Sequence, residues 1–396
     1  MKPVTQSDTT SIYAVSYFPN DERMLMSADG NGDEINHIFV RELDGTIKDL
    51  TPTEGAKASF YGWSKDENYF YFRSNKRDAR FFDVYKLSID DYSSEMIYQN
   101  DDGLELSGIS DDENYFALTK SINTNDTDLF IYNVQTEEMT KINDNQSKNS
   151  SQDFSADNTI FYYTTDDDSE FSYLMSYDLE TGEKTKVLEK SWDIVSASFS
   201  PEYSYMTVFV NEDAKNTIEV LDTDSKQPIN LPDFKNQSIT NVGFSQDEKC
   251  MRMYVGGSDM PSNLYSYTLE SKTLNKLTDV LNEEINAEDL VEAQVIRYPS
   301  FDGVEIPAIY YLPKQASETQ NVPAMVWVHG GPGGQSRQNF SPLIQYMVNH
   351  GYAVLAVNNR GSGGYGKTFF QMDDKNHGEK DLQDCVEGKN WLAKQP

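Results

Sequence analysis

A turn of the form Ser-x-Asp, followed by an aromatic or aliphatic run, recurs through the first two-thirds of the chain at a step of about 45 residues. Copies begin at Phe18-Pro-Asn-Asp21, Ser64-Lys-Asp-Glu67, Ser110-Asp-Asp-Glu113, Ser155-Ala-Asp-Asn158, Ser200-Pro-Glu-Tyr203 and Ser245-Gln-Asp-Glu248. Each turn leads into a run rich in residues that suit a pleated surface, such as Tyr69–Phe72, Tyr115–Leu118, Ile160–Tyr163 or Tyr205–Phe209. A second run follows about 15 residues later, as in Val84–Leu87, Leu129–Tyr132 and Leu264–Tyr267. A polar turn such as Glu180–Glu183 and a short strand such as Lys186–Leu188 close the unit. None of these short strands buries both faces alone, so the units must stack radially, as the blades of an all-β propeller do. The count predicts six blades, or seven if sequence at either end builds a degenerate one. Inside the repeat the aromatics read as core, and the Ser and Asp side chains as turn-stabilising groups.

Composition narrows the function classes. A formal charge of −32, from 65 acidic against 33 basic residues, opposes phosphate backbones and anionic lipid, so no nucleic acid or membrane partner is expected. The nearest match to a calcium loop, Asp29-Gly-Asn-Gly-Asp33, has Glu34 where that loop needs its glycine, and reads first as solvated surface. Cys250 and Cys385 fall in different predicted domains, which does not suggest a disulfide framework. The four histidines, His37, His329, His350 and His377, show no metal spacing and read as turn, helix-end or packing residues, so no metal is expected. No apolar stretch approaches the length of a membrane span, and residues 1–10 lack the pattern of a secretory signal. A soluble product is expected, with the compartment left open: cytoplasmic, or periplasmic or secreted if a leader has been removed.

Beyond about Val280 the repeat stops, and the division expected is 1–285 for the propeller and 286–396 for a second domain. Val291–Tyr298 and Val304–Leu312 read as an antiparallel pair around the Phe301–Gly303 turn. Ala324–Val328 is a continuous apolar run of the kind found in a sheet buried on both faces. A helix over about 339–349, a second buried strand over Tyr352–Val357 and an amphipathic stretch over Leu382–Ala393 follow. On the last of these, Leu382, Cys385, Val386 and Leu392 share a face. This order is that of an α/β fold.

The strand ending in His329-Gly-Gly-Pro332, the later Asn358-Asn-Arg-Gly-Ser-Gly-Gly-Tyr-Gly366, His377-Gly378, and Asp381 to Trp391 resemble the prolyl oligopeptidase family of serine peptidases. The nearest branches are the acylaminoacyl-peptidase and dipeptidyl-peptidase-like ones. With the upstream propeller, the resemblance spans nearly the whole chain. It implies the incomplete N-terminal part of an α/β-hydrolase domain, short peptide substrates, an acyl-serine intermediate, no cofactor, and a propeller that gates access; oligomeric state is left open.

In α/β-hydrolases a Gly-rich loop after the third strand supplies a backbone N–H to the oxyanion hole. By resemblance that donor is Gly331, with Gly330 allowing close backbone approach; a plain tight turn is the alternative. No Gly-x-Ser-x-Gly occurs, since Ser362 follows Arg360-Gly361 and Ser245 precedes Gln246-Asp247. The resemblance places Ser, Asp and His after Pro396. Ser336, Ser341, Ser362, Asp374 and His377 are therefore not assigned to a triad, and the 396 residues alone are expected to be inactive.

Three further readings stand beside this one. Gly361-Ser-Gly-Gly-Tyr-Gly-Lys-Thr368 matches a phosphate-binding loop, although Asn358–Arg360 separates it from the preceding strand. Glu137-Glu138 and Glu283-Glu284 are adjacent pairs of the kind that clamp a peptide amino terminus, but read first as solvated surface. A TolB-like propeller binding module with a vestigial hydrolase tail is the alternative function.

Overall fold

The computed structural model describes residues 4–235, 237–331 and 333–396. Among them, six antiparallel meander sheets begin at Ile12, Ala58, Glu105, Asn149, Asp193 and Ser238, each with its strands in sequence order. Five have four strands. The fifth sheet has three, and its outer position holds only the isolated bridge Leu221–Pro228, where Pro228 brings no N–H to a ladder. These sheets and the mixed sheet after them make the chain an all-β propeller followed by part of an α/β-hydrolase domain.

The repeated turn joins the first and second strands of each sheet. The sheets therefore start several residues before the sequence repeat as read. In the second unit Ser64 Oγ donates to Asp66 Oδ1 (2.6 Å) and accepts from Tyr69 N (3.0 Å). Ser110, Ser155 and Ser245 repeat the pattern onto Asp112, Asp157 and Asp247. These bonds hold Asp157 and Asp247 below the ordinary carboxylate range, the latter at about 2. The residue three after each serine, Glu67, Glu113, Asn158, Tyr203 or Glu248, has φ between 52° and 63°, a left-handed turn without glycine. The serine bond network offsets that strain. Ser110 is buried, so Ser110→Ala leaves the Tyr115 N–H without its acceptor, and chemical denaturation should show a loss of about 1–3 kcal/mol.

The second strands are the core. Phe70, Tyr71 and Phe72 are consecutively buried, as are Phe116, Ala117 and Leu118, because both faces of a middle strand are covered. Leu25, Ile38, Phe70 and Leu87 pack the first two sheets together, and Val84, Leu106, Phe116 and Leu118 the second and third. Leu174, Ile194 and Val208 join the fourth to the fifth, and Val220, Met251 and Val255 the fifth to the sixth. The Asp29–Asp33 loop spends its carboxylates on its own backbone, with Asp33 Oδ1 accepting from Gly30 N and Ile35 N and Asp29 Oδ2 from Glu34 N. Glu137-Glu138 and Glu283-Glu284 are exposed. Cys250 and Cys385 are free thiols. No helix among the described residues is long and apolar enough to cross a membrane.

By compactness the chain forms two units, Met1–Lys120 with Leu129–Ile142, and Ser121–Asp128 with Asn143–Pro396. The second holds the last three meander sheets and the mixed sheet. Strands of the mixed sheet run in the order Gln294–Pro299, Glu305–Tyr311, Ala353–Val357, Ala324–Val328, the last pair parallel and the others antiparallel. Helix α1 (Pro342–Asn349), N-capped by Ser341, covers one face through Ile344 and Val348. Helix α2 (Lys367–Gln371) is a single turn, and helix α3 (Lys380–Leu392) covers the opposite face through Leu392.

Two expectations change here. Ala353–Val357 is buried throughout, as its sequence suggests, but Ala324–Val328 is the outermost strand of the described sheet, with Ala324 and Val328 exposed. Helix α3 turns Asp381, Asp384, Gly388 and Leu392 inward and leaves Leu382 and Val386 exposed. Its inner face is set by close approach and charge: a Cβ on Gly388 would lie 2.8 Å from the Tyr298 hydroxyl, and Asp384 has a buried cation to meet.

Candidate active site

The loop 329–334 leaves the C-terminal end of Ala324–Val328; its Pro332 lies outside the described residues. Gly331 has φ +63°, which side chains adopt only under strain, and is exposed. Among the described residues, no atom beyond the chain neighbours lies within 4 Å of a Cβ placed on Gly330 or Gly331, and no acceptor takes either N–H. The later glycines answer to packing instead. A Cβ on Gly333 would strike the Phe370 ring at 2.6 Å, and one on Gly334 would lie 2.5 Å from the Gly330 carbonyl oxygen.

His329 and Ser362 meet at 2.9 Å between Nε2 and Oγ. The pair is a clasp. Ser362 Oγ donates to the Asn359 carbonyl (2.6 Å), so the shared proton is the one on His329 Nε2. Burial pushes the imidazole pKa down and keeps it neutral, and Ser362 is wholly buried. Gly363 N donates to Gly334 O, and Asn358 donates to Ser336 O and Tyr365 Oη while accepting from Ser336 N. Two glycine-rich loops are thereby locked to each other, with Gly330 and Gly331 left open.

Arg360 anchors this arrangement from below. Its side chain is 3 % exposed and forks onto two carboxylates. Nε and Nη2 donate to Asp384 (2.9 and 2.8 Å), Nη1 and Nη2 to Asp302 (2.8 and 2.9 Å), and its backbone N–H also reaches Asp384 (2.9 Å). Ser300 Oγ donates to Asp384 (2.6 Å) and Tyr298 Oη to the Asp384 carbonyl (2.7 Å). The Arg360 guanidinium holds Asp302 at about 2, below the usual carboxylate range. Through these contacts Arg360 braces the loop it belongs to.

The phosphate-loop match is filled by a protein anion. Glu170 takes the Thr368 N–H (2.9 Å) and hydroxyl (2.5 Å), while Lys367 Nζ lies 3.3 Å from Asp166 Oδ1. The Thr368 hydroxyl bond, first among its partners, pulls the Glu170 carboxyl down. The Lys367 ammonium and the Thr368 N–H, which would help to cradle a phosphate, are therefore engaged within the protein.

Other contacts in the second unit tie blade strands to the hydrolase loops. Asn211 Nδ2 donates to Gln335 (2.9 Å), Arg337 to Asn216, and Gln338 to the Asp213 carbonyl (3.0 Å). Between them lies a polar cleft of about 350 Å³ lined by Asp166, Asp193, Asn211, Gln335, Arg337 and Lys367. Burial pushes the Asp193 carboxyl up and the Arg337 guanidinium down. A second cavity of about 330 Å³ carries Gly331, Gly333, Asn359, Gly361, His377 and Asp381 on its walls.

The remaining sequence candidates are scattered. Ser341 caps α1, Ser336 is spent on Asn358 and Val357, and Asp374 meets Asn125 at 3.3 Å. His350 caps the C-terminus of α1, and His37 pairs with Asp49 at 2.7 Å. His377 contacts both Asp373 and Asp381, a grouping the sequence reading missed because its four-residue spacing runs from the turns after α2 into the first turn of α3.

Comparison with known proteins decides the lineage. The family described as prolyl oligopeptidase, N-terminal beta-propeller domain, matches residues 4–280, and that described as prolyl oligopeptidase family matches residues 338–396. The chain belongs to the prolyl oligopeptidase family. A dipeptidyl aminopeptidase BIII of Pseudoxanthomonas mexicana is 24% identical over 409 residues, covering 100% of this chain and 59% of that protein. An uncharacterized peptidase, YuxL, of Bacillus subtilis (strain 168) is 28% identical over 167 residues, covering 42% of this chain and 25% of its own length. The fold is shared with a structure from a study of two prolyl endopeptidases (TM-score 0.81, 16% identity, 99% of this chain and 60% of that one). It is shared too with a Mycobacterium tuberculosis puromycin-hydrolyzing peptidase (TM-score 0.79, 15% identity, 97% and 62%). This prolyl oligopeptidase family chain thus spans about three fifths of the length of the relatives it matches from end to end.

Proposed function

We propose that the whole protein is a serine peptidase that hydrolyses short peptides through an acyl-serine intermediate, with Gly331 N–H as one oxyanion donor. The observation that carries this reading is an N–H, unengaged among the described residues, on an exposed left-handed glycine that follows the C-terminal end of a parallel strand, in a loop held by the His329–Ser362–Asn359 bonds. Donors fixed before the reaction stabilise developing charge without reorganising, which makes such a loop worth its rigidity. The match to the family, with peptidases among the relatives, supports the same chemistry.

Residues 1–285 are taken as the propeller and 286–396 as the start of the peptidase domain, a boundary supported by the last blade strand, Thr273–Lys276, and the first strand of the mixed sheet, Gln294–Pro299. The polar cleft between blade residues and the loops after Val328 favours an extended peptide over a folded protein as the group admitted. Residues 1–396 contain no Gly-x-Ser-x-Gly, so the nucleophile is assigned outside them. Fluorophosphonate labelling of the whole protein tests the proposal. One labelled serine in a Gly-x-Ser-x-Gly context, with hydrolysis falling steeply as substrates lengthen into folded domains, is expected. A folded whole protein that neither labels nor cleaves peptides would point to a binding module instead.

A further inference from the structure

Where the turns after α2 lead into the first turn of α3, the chain folds two carboxylates onto one imidazole. Asp373 Oδ2 lies 3.1 Å and Asp381 Oδ2 2.9 Å from His377 Nδ1, and one ligand atom from each residue falls within 4.8 Å of the others. Both acids are buried, with side chains 6 % and 8 % exposed, whereas His377 is 66 % exposed. Nδ1 carries one proton at most, so it cannot donate a full hydrogen bond to both. The second oxygen of each acid, Asp373 Oδ1 and Asp381 Oδ1, is buried and has no hydrogen-bond partner among the described residues. Among the described residues neither acid forms an ion pair with Lys or Arg. One oxygen of each acid thus meets the same ring nitrogen while the other is left unpaired, and positive charge is short. Buried carboxylates left in that state are costly, and pairing or metal coordination is the usual remedy.

We infer that Asp373, His377 and Asp381 form a binding site for a first-row divalent cation of the Zn²⁺ or Mn²⁺ type. Bonds of roughly 2.1 Å from such an ion to imidazole nitrogen and carboxylate oxygen set neighbouring ligands about 3.0 Å apart in an octahedral shell and about 3.4 Å apart in a tetrahedral one, and the 3.1 and 2.9 Å found on the two sides of Nδ1 fall nearer the first. One imidazole with two carboxylates suits these ions better than Ca²⁺ or Mg²⁺, which take oxygen ligands. The exposed side of His377 leaves room for water to complete the shell. The ion has a structural task. Gly361 packs against Asp373, and Gly331 lines the same cavity as His377 and Asp381, so a bound cation pins the 373–381 segment beneath the loop that carries the open N–H groups.

The test is calorimetric titration of the chelator-treated whole protein with ZnCl₂ and, separately, MnCl₂, with metal content read by mass spectrometry after gel filtration. One ion per chain is expected, with a Co²⁺ derivative showing visible d–d bands. His377→Ala should weaken binding by about tenfold or more. That variant alters an exposed side chain and keeps every acid, so it separates this site from diffuse attraction to a surface of charge −32. Asp373→Asn and Asp381→Asn should do the same. Binding that is absent for both ions, or unchanged in His377→Ala, overturns the assignment, as does a Lys or Arg side chain found between the two acids in a structure of the whole protein. None of these outcomes depends on peptidase activity.

Discussion

Asp384→Ala should destabilise the α/β part of the protein by about 3–5 kcal/mol, the largest stability loss of any single substitution considered. Asp384 is fully buried and accepts from Arg360 N, Nε and Nη2 and from Ser300 Oγ. Truncation leaves a guanidinium that is 3 % exposed with Asp302 as its remaining carboxylate. Thermal or urea unfolding reads the loss directly, and a change below about 1 kcal/mol would show that water or a neighbour replaces the carboxylate. Asp302→Ala should cost much less, because Asp302 is 32 % exposed and its pairing is partly screened. Removing both charges with Arg360→Met and Asp384→Leu should cost less than Asp384→Ala alone, since no buried charge is then orphaned. The sign of the pH effect follows from the depressed carboxyl of Asp302. Its contribution is present above the ordinary carboxylate range and fades as pH falls toward about 2.

The same residues explain what could be read in the sequence and what could not. The propeller period was legible because Ser64, Ser110, Ser155 and Ser245 each perform the same bonding task at the same place in a turn. The phase was not, since a chain of identical meanders has no marked beginning, and the turn lies inside each sheet rather than between sheets. The left-handed positions at Glu67, Glu113 and Glu248 gave no signal, because the turn's bonds tolerate a residue other than glycine there. Reading apolar residues as the inner face of α3 failed for a specific reason. Arg360 requires a carboxylate inside, and Tyr298 requires a residue without a side chain at Gly388, so Leu382 and Val386 are left outside. The hydrolase loop was legible as a motif, but the His329–Ser362 clasp depends on two loops meeting across 33 positions, which no local pattern encodes.

If the whole protein is the serine peptidase proposed, with Gly331 N–H as an oxyanion donor, Gly331→Ala should lower its kcat by about 10²–10³ while KM and thermal stability change little. The φ of +63° is open to alanine only under strain of about 1–2 kcal/mol, so the peptide plane carrying the N–H rotates toward an ordinary conformation and the donor leaves its aim. Among the described residues, nothing beyond the chain neighbours lies within 4 Å of the new Cβ, so the variant should remain folded, and the effect is one of direction rather than packing. Gly330→Ala provides the contrast. Gly330 has no positive φ, and its Cβ also enters open space, so the loop keeps its shape while the added methyl narrows the approach to it. That variant should raise KM more than it lowers kcat. Steady-state kinetics on one short peptide, with unfolding monitored in parallel, distinguishes the two. Equal, small effects at both positions would reduce the loop to a tight turn, and a collapse of Tm in Gly331→Ala would mean that the left-handed glycine serves the fold before it serves the oxyanion.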